Sequence, residues 1–421
     1  MEKLRITGEK PLSGTVPISG AKNAALPILF ATLLSKERST LKNVPVLADI
    51  HTTLKVLEAL GLGTAFDTSN HSISIQGETL NSIEAPYDLV RTMRASVLVL
   101  GPLLARKGEA RVSLPGGCAI GARPVDFHLS ALEALGATFS IEGGYIHGTA
   151  RNGLVGAKIT LPFPSVGATE NALMAACLAR GETRIVNAAR EPEIIDLAQA
   201  LNSMGAEITG AGESEIRIAG KSSLHGMNHS IAPDRIEAAT FLCAGLITGG
   251  SVEVSGISAP YLEVALQKLE LMGARIERHS NSIRATATGV LKPIHLETEP
   301  FPGFPTDMQA QFMALATRAK GESVIKETIF ENRFMHVPEL VRLGAKIKIQ
   351  GNQAVVSGPS VLSGATVMAT DLRASASLIL AGLAAKGETT IRRIYHLDRG
   401  YEQIEIKLQS LGATISREFD K

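Results

Sequence analysis

Six basic side chains stand where helices are expected to begin, or in the loops just ahead of such places: Lys22, Arg94, Arg123, Arg333, Arg373 and Arg399. A helix start exposes unpaired amide N–H groups and is partly positive, so a cation there is electrostatically misplaced. An anion lying between the cations and the amides removes the conflict, and forked guanidiniums suit phosphate and carboxylate. Surface salt bridging accounts for one or two such placements and poorly for six, so the pattern points to a polyanion site. Ser165, Asp234, Asp307 and Asp371 occupy comparable loops. Each can cap the helix behind it by accepting free amide hydrogens, and capping and chemistry both stay open at each of them.

One thiol belongs with these residues. Cys177 and Cys243 sit inside apolar helical runs and read as small core side chains. Cys118 lies instead in Leu114-Pro115-Gly116-Gly117-Cys118-Ala119-Ile120-Gly121-Ala122-Arg123-Pro124, a glycine-rich loop that brings it beside Arg123. As a nucleophile it wants a histidine partner; as an acid it needs only a pKa near ambient pH. His128 and His336 lie near the same loops, where packing or capping is the ordinary role of a histidine.

Other chemistries find little support. No Gly-x-x-x-x-Gly-Lys-Ser/Thr run is present, and no His, Cys or carboxylate cluster has metal-ligand spacing, so neither a phosphate-loop nucleotide nor a metal is expected. Lys plus Arg total 42 against 41 Asp plus Glu, which leaves no global field for nucleic acid or an anionic membrane. An odd three cysteines point to a reducing compartment. The opening residues Met1 to Gly8 lack the apolar core of a signal peptide, and the apolar stretch Ala95 to Ala105 is too short to span a bilayer. A cytoplasmic protein without membrane partners is expected.

The elements that must carry these loops repeat. A Leu/Met-Gly-Ala triplet, with the glycine that stops a helix, recurs at Gly136, Gly205, Gly273, Gly344 and Gly412, with Leu60-Gly61-Leu62 as a degraded first copy. A Gly-Glu or Gly-Gly turn before a β-branched strand runs in phase, at Gly108, Gly181, Gly249, Gly321 and Gly387. Six units of about 70 residues account for the 421-residue chain. The third unit reads as β-α-β-α-β-β, with a helix over Glu170 to Ala179 that is apolar nearly all round and so buried. Three such units sharing three buried helices make one domain of normal size. The fold class is therefore α/β, with two three-unit domains: residues 22–230, and residues 1–21 plus 231–421. The opening strands within Leu4 to Val16 are expected to complete the last unit. The anion site falls to the cleft where the loops of both domains meet.

The sequence closely resembles the UDP-N-acetylglucosamine 1-carboxyvinyltransferases, a family of enolpyruvyl transferases. The matches are Ile18 to Pro27, the Leu114 to Asp126 loop, Ser165-Val166-Gly167-Ala168-Thr169, Asn187 to Glu193, Phe304 to Gln309, Phe330 to His336, Asp371 to Ala376 and His396 to Tyr401. They run through the whole chain. The resemblance implies two inside-out α/β barrels and transfer of the enolpyruvyl group of phosphoenolpyruvate to the 3-hydroxyl of UDP-N-acetylglucosamine. Phosphate leaves by addition and elimination through a tetrahedral intermediate, at the first committed step of peptidoglycan synthesis. By matching position it implies catalytic roles for Cys118 (general acid), Asp307 (base), Lys22 and Arg399. It implies a phosphoenolpyruvate site of Lys22, Asn23, Arg123, Arg333, Asp371, Arg373 and Arg399. It implies a nucleotide-sugar site of Arg94, Arg123, Pro124, Val125, Asp126, Phe127, Phe163, Pro164, Ser165, Val166, Asp307 and Ile329. Phe163-Pro164 departs from a more polar pair found in some relatives. No metal or organic cofactor is implied. The alternatives are a 5-enolpyruvylshikimate-3-phosphate synthase, which lacks the cysteine loop and has Ser-Lys-Ser in place of Ala21-Lys22-Asn23, and a non-catalytic nucleotide-sugar sensor.

Overall fold

The computed structural model describes residues 2–91, 93–114 and 125–419. Two compact units share the chain. Among the described residues, one contains 20–91, 93–114 and 125–232 and the other 2–19 with 233–419, so the chain passes between them at 19/20 and 232/233. These points lie two residues from the boundaries read from the repeats.

Each unit holds three four-stranded sheets built to one plan, and the third repeat illustrates it. Lys158–Thr160 runs parallel to Glu182–Val186 with Ile159 opposite Ile185. The hairpin strand Glu215–Ala219 pairs antiparallel on the other side, Ile216 opposite Ile185, and Glu207–Thr209 closes the sheet. Alternation puts Ile159, Ile185, Ile208, Ile216 and Ile218 on the buried face and leaves charged residues such as Glu182 and Arg184 outside.

The inner faces cover six helices, five of them buried along nearly their whole length and the sixth, Leu100–Lys107, buried over its first five residues. In the 20–232 unit these are Lys22–Ala31, Leu100–Lys107 and Val166–Ala176; in the other they are Arg235–Ile247, Gln309–Ala316 and Leu372–Ala384. The last three pack on one another within a core that includes Phe241, Phe304 and Phe312. Truncating one such side chain costs about 3–5 kcal/mol. Each unit is an α/β barrel turned inside out, with helices within and sheets without. The repeat markers are real helix stops: Gly61, Gly136, Gly205, Gly273, Gly344 and Gly412 all take φ between 94° and 99°, a region that side-chain-bearing residues avoid.

Two expectations need correction. The third buried helix begins at Val166 rather than Glu170, because Ser165 caps it. Of the opening strands, only Glu2–Thr7 completes the sixth sheet, lying between Glu388–Arg392 and Thr414–Phe419. Ser13–Pro17 instead pairs parallel with Ser251–Ser255 in the fourth sheet, and Asn228–Ser230 supplies the corresponding strand of the first, beside Arg38–Lys42. At both crossings the strand before a buried helix stays behind in the unit the chain is leaving. Ser13–Pro17 and Asn228–Ser230 are short and each buries at most one side chain, so their own residues do not say which sheet they join.

Candidate active site

In the 20–232 unit, Lys22 opens its helix with no side-chain cap from Ala21. Its Nζ lies 3.2 Å from Oδ2 of Asp49, in the first turn of helix Ala48–Ala59, and both side chains are at least nine-tenths buried. A carboxylate of the chain thus offsets the misplaced cation, and burial makes each charge depend on the other. Asn23 follows, half-buried. Arg94 starts the 3-10 helix Arg94–Val99. Burial, aided by the Arg94 charge, pushes His128 down to about 4. The ring is therefore neutral at physiological pH, with Nδ1 3.2 Å from Nδ2 of Asn171. That amide also donates to the Val97 carbonyl at 3.1 Å, while Gly101 N donates to its Oδ1 at 2.7 Å. His128 lies so close to Gly167 that a Cβ there would stand 2.9 Å from the ring. It packs the third buried helix in place.

Ser165 accepts from Ala168 N at 3.4 Å, so its hydroxyl serves as a helix cap, with Val166 just behind. Phe163 is exposed beside the half-buried Pro164. Val125 is buried, Asp126 begins helix Asp126–Ala134, and Phe127 is half-buried against the core. Cys118, Arg123 and Pro124 lie outside the described residues.

The same unit holds a carboxyl the sequence reading passed over. Glu170, in the middle of the third buried helix, is pushed well above the usual carboxylate range by burial and then by Glu193 and Glu191. The signal was a lone glutamate inside an apolar helix, facing the Arg190-Glu191-Pro192-Glu193 loop.

In the other unit, Asp307 sits in the 3-10 turn Thr306–Met308 and caps nothing there. Its Oδ1 accepts from Nη2 of Arg333 at 2.8 Å and its Oδ2 from Nη2 of Arg373 at 3.3 Å. Both arginine side chains are 4% exposed. Burial opposes charge on Arg373, yet Asp307, Tyr401 and Asp234 hold its guanidinium firmly charged. Its Nη1 is buried with no hydrogen-bond partner. A charged donor left unmatched in the interior costs on the order of 1–3 kcal/mol or more, and an anionic oxygen at that atom would relieve it.

The neighbouring aspartates differ. Asp371 caps Leu372–Ala384, its Oδ1 accepting from Arg373 N at 2.8 Å and Ala374 N at 3.0 Å. Asp234 caps Arg235–Ile247 in the same way. Burial pushes His336 down to about 4, with Asp371 opposing and Arg333 reinforcing the shift. Arg399 ends the 3-10 helix Ile394–Arg399 and is half-buried. Ile329 donates its amide to Oε1 of Glu327 at 2.9 Å. Glu327 is a second residue missed from sequence: buried, it also accepts from Phe330 N at 3.1 Å and from the hydroxyls of Thr298 and Thr306, both at 3.0 Å. It thereby ties the Asp307 turn to the Ile329 loop.

The six misplaced cations thus have a mixed explanation. Carboxylates of the chain stand beside Lys22, Arg333 and Arg373, while the unmatched Nη1 of Arg373 still calls for an acceptor from outside. Buried guanidiniums that share one carboxylate, as Arg333 and Arg373 share Asp307, can bind an oxyanion and hold a hydroxyl beside it.

A family model described as EPSP synthase (3-phosphoshikimate 1-carboxyvinyltransferase) matches residues 6–408. The UDP-N-acetylglucosamine 1-carboxyvinyltransferase of Nitratidesulfovibrio vulgaris is 59% identical over 419 residues, covering 99% of this chain and 100% of that protein. The protein of the same name from Gluconacetobacter diazotrophicus is 57% identical over 417 residues, 99% of each chain. Among solved structures, the enolpyruvyl transferase NikO from Streptomyces tendae superposes with a TM-score of 0.91 at 27% identity, over 100% of this chain and 99% of that one. EPSP synthase from Acinetobacter baumannii shares the fold, at a TM-score of 0.78 and 19% identity over 100% of both chains. By length of match and by fold alike, this chain is an enzyme that belongs to the EPSP synthase family of carboxyvinyltransferases.

Proposed function

We propose that the enzyme transfers the enolpyruvyl group of phosphoenolpyruvate to the 3-hydroxyl of UDP-N-acetylglucosamine and releases phosphate. The observation that carries the chemistry is Asp307 bridging two buried guanidiniums, one of which keeps an unmatched donor. The choice of acceptor rests on the relatives of that name, 57–59% identical over nearly the whole chain. Lys22, Asn23, Arg123, Arg333, Arg373 and Arg399 hold the phosphate and carboxylate of phosphoenolpyruvate, so that charge moving onto the leaving phosphate is met by fixed cations. Asp307 faces the sugar hydroxyl and takes its proton as the oxygen attacks C2. Cys118 delivers a proton to C3, which makes the electrophilic carbon. Asp371 sets its negative charge near C2. Elimination takes a proton back from C3, re-forms the double bond and expels phosphate, and the new bond between the sugar oxygen and C2 stays in place.

The nucleotide sugar is read by Arg94, Arg123, Pro124, Val125, Asp126, Phe127, Phe163, Pro164, Ser165, Val166, Asp307 and Ile329. The reaction runs in the cytoplasm, with small molecules as partners. Phosphate release from phosphoenolpyruvate, measured with UDP-N-acetylglucosamine and separately with shikimate 3-phosphate, tests the reading. Release with the nucleotide sugar alone is expected. Release with shikimate 3-phosphate alone would assign the other branch of the family, and release with neither would leave a nucleotide-sugar sensor.

A further inference from the structure

We infer that Arg417, on the closing strand Thr414–Phe419, is a positioning residue that aims Arg399 by holding its neighbour Asp398 in a two-point ion pair. Arg417 Nη2 lies 2.6 Å from Oδ1 of Asp398 and Nη1 lies 3.0 Å from Oδ2. This fork-to-fork geometry fixes direction as well as distance. The remaining donors hold the arginine itself. Nε meets Oε1 of Glu405 at 2.7 Å, and Nη1 meets Oε2 of Glu2 at 3.1 Å. Glu405 is buried in the first turn of helix Ile404–Ser410, and Glu2 opens the first strand. Arg417 is thus fastened to a helix and a strand, and through Asp398 it fastens a third element.

That third element needs fastening. Asp398 and Arg399 end the short 3-10 helix Ile394–Arg399, and the segment lies between two non-glycine residues in the left-handed region, Arg393 at φ 59° and Gln403 at φ 44°. Such residues persist only where the surroundings over-determine them. A 3-10 turn advances by a third of a circle per residue, so fixing the Asp398 carboxylate fixes the direction in which Arg399 leaves the helix. Tyr401 anchors the far side, its hydroxyl 2.9 Å from Thr240 Oγ1 and 3.2 Å from Gln311 Nε2. The inference rests on the reading of Arg399 as a cation that meets phosphoenolpyruvate. A misplacement of about 1 Å in such a group can cost on the order of a hundredfold in rate.

The test uses the full-length enzyme and three variants, Arg417→Lys, Asp398→Asn and Glu2→Gln, with each substrate varied in turn and the melting midpoint recorded. Lysine keeps the charge and loses the fork; asparagine keeps the shape and loses the charge. Both are expected to lower kcat/KM for phosphoenolpyruvate by about 10- to 100-fold, with KM for the nucleotide sugar unchanged. Glu2→Gln touches Arg417 without touching the Arg399 helix and should leave both constants alone. Altered melting with phosphoenolpyruvate kinetics unchanged in Arg417→Lys and Asp398→Asn overturns the inference, because the cluster is then merely structural. So does an equal kinetic loss in Glu2→Gln. Absence of turnover in the wild type is a separate result, which overturns the functional reading and this inference together.

Discussion

Asp307 meets two buried guanidiniums and caps no helix, and this changes what its replacement should do. An asparagine cap is as good as an aspartate cap, so a capping role predicts an unchanged protein. In the observed arrangement Asp307→Asn leaves Arg333 and Arg373, each 4% exposed, without their shared counter-charge. Stability should fall by on the order of 1–3 kcal/mol, discounted because the carboxylate is 28% exposed. Loss of the base should lower kcat by about 10²–10⁴-fold. Inorganic phosphate should then raise the melting midpoint of the variant more than that of the wild type, since it supplies the missing negative charge. Turnover near normal would remove Asp307 from the chemistry and leave Asp371 as the candidate. Sequence put Ser165, Asp234, Asp307 and Asp371 in equivalent loops, and three of the four are caps. Nothing in the residue type singles out the fourth, because its partners stand 26 and 66 positions away. Asp49, the partner of Lys22, escaped notice for the same reason.

At the scale of elements, loops on this scaffold are tied to one another as well as to the barrel. Glu327 follows strand Gly321–Lys326 and joins Thr306 to Ile329 and Phe330 through one carboxylate. Glu327→Ala leaves the Ile329 and Phe330 amides and the Thr298 and Thr306 hydroxyls without their shared acceptor, so it forfeits hydrogen bonds worth about 1 kcal/mol each. The Asp307 turn and the Ile329 loop then lose their common register. KM for UDP-N-acetylglucosamine should rise by about tenfold with a modest drop in melting midpoint. A drop in melting midpoint with KM unchanged would confine Glu327 to the fold. The glycine stops that end the second helix of each unit were legible because each repeat restates them, and a signal repeated six times outweighs noise in any one copy. The strands Ser13–Pro17 and Asn228–Ser230 had no such help. Their sheet membership is decided by pairing with Ser251–Ser255 and Arg38–Lys42, about 240 and 190 residues away.

At the scale of the molecule, the two units carry matched liabilities toward pH. Each encloses a histidine pushed down to about 4, chiefly by burial: His128 in one and His336 in the other. Each also encloses a glutamate pushed upward by burial, Glu170 and Glu237, the latter against the pull of Lys407. For the histidines the unfolded chain binds protons more readily, near 6.5. Their contribution is therefore complete above 6.5 and is lost as pH falls through that value toward 4, at about 3 kcal/mol for each ring. The glutamates act in the opposite sense: the folded state favours the protonated acid, so stability declines as pH rises through their elevated values. The two effects oppose each other from about 4.5 upward, where the unfolded glutamates ionise, while the two histidines together cost stability as pH falls below 6.5. Glu170→Gln supplies a neutral group of nearly the same shape and should remove that carboxyl's loss of stability with rising pH, leaving the loss on acidification due to the histidines in place. Calorimetric scans of wild type and variant across pH separate the two effects. A pH dependence of the melting midpoint unchanged in Glu170→Gln would show that this carboxyl is ionised in the fold, with Glu191 and Glu193 no obstacle to its charge.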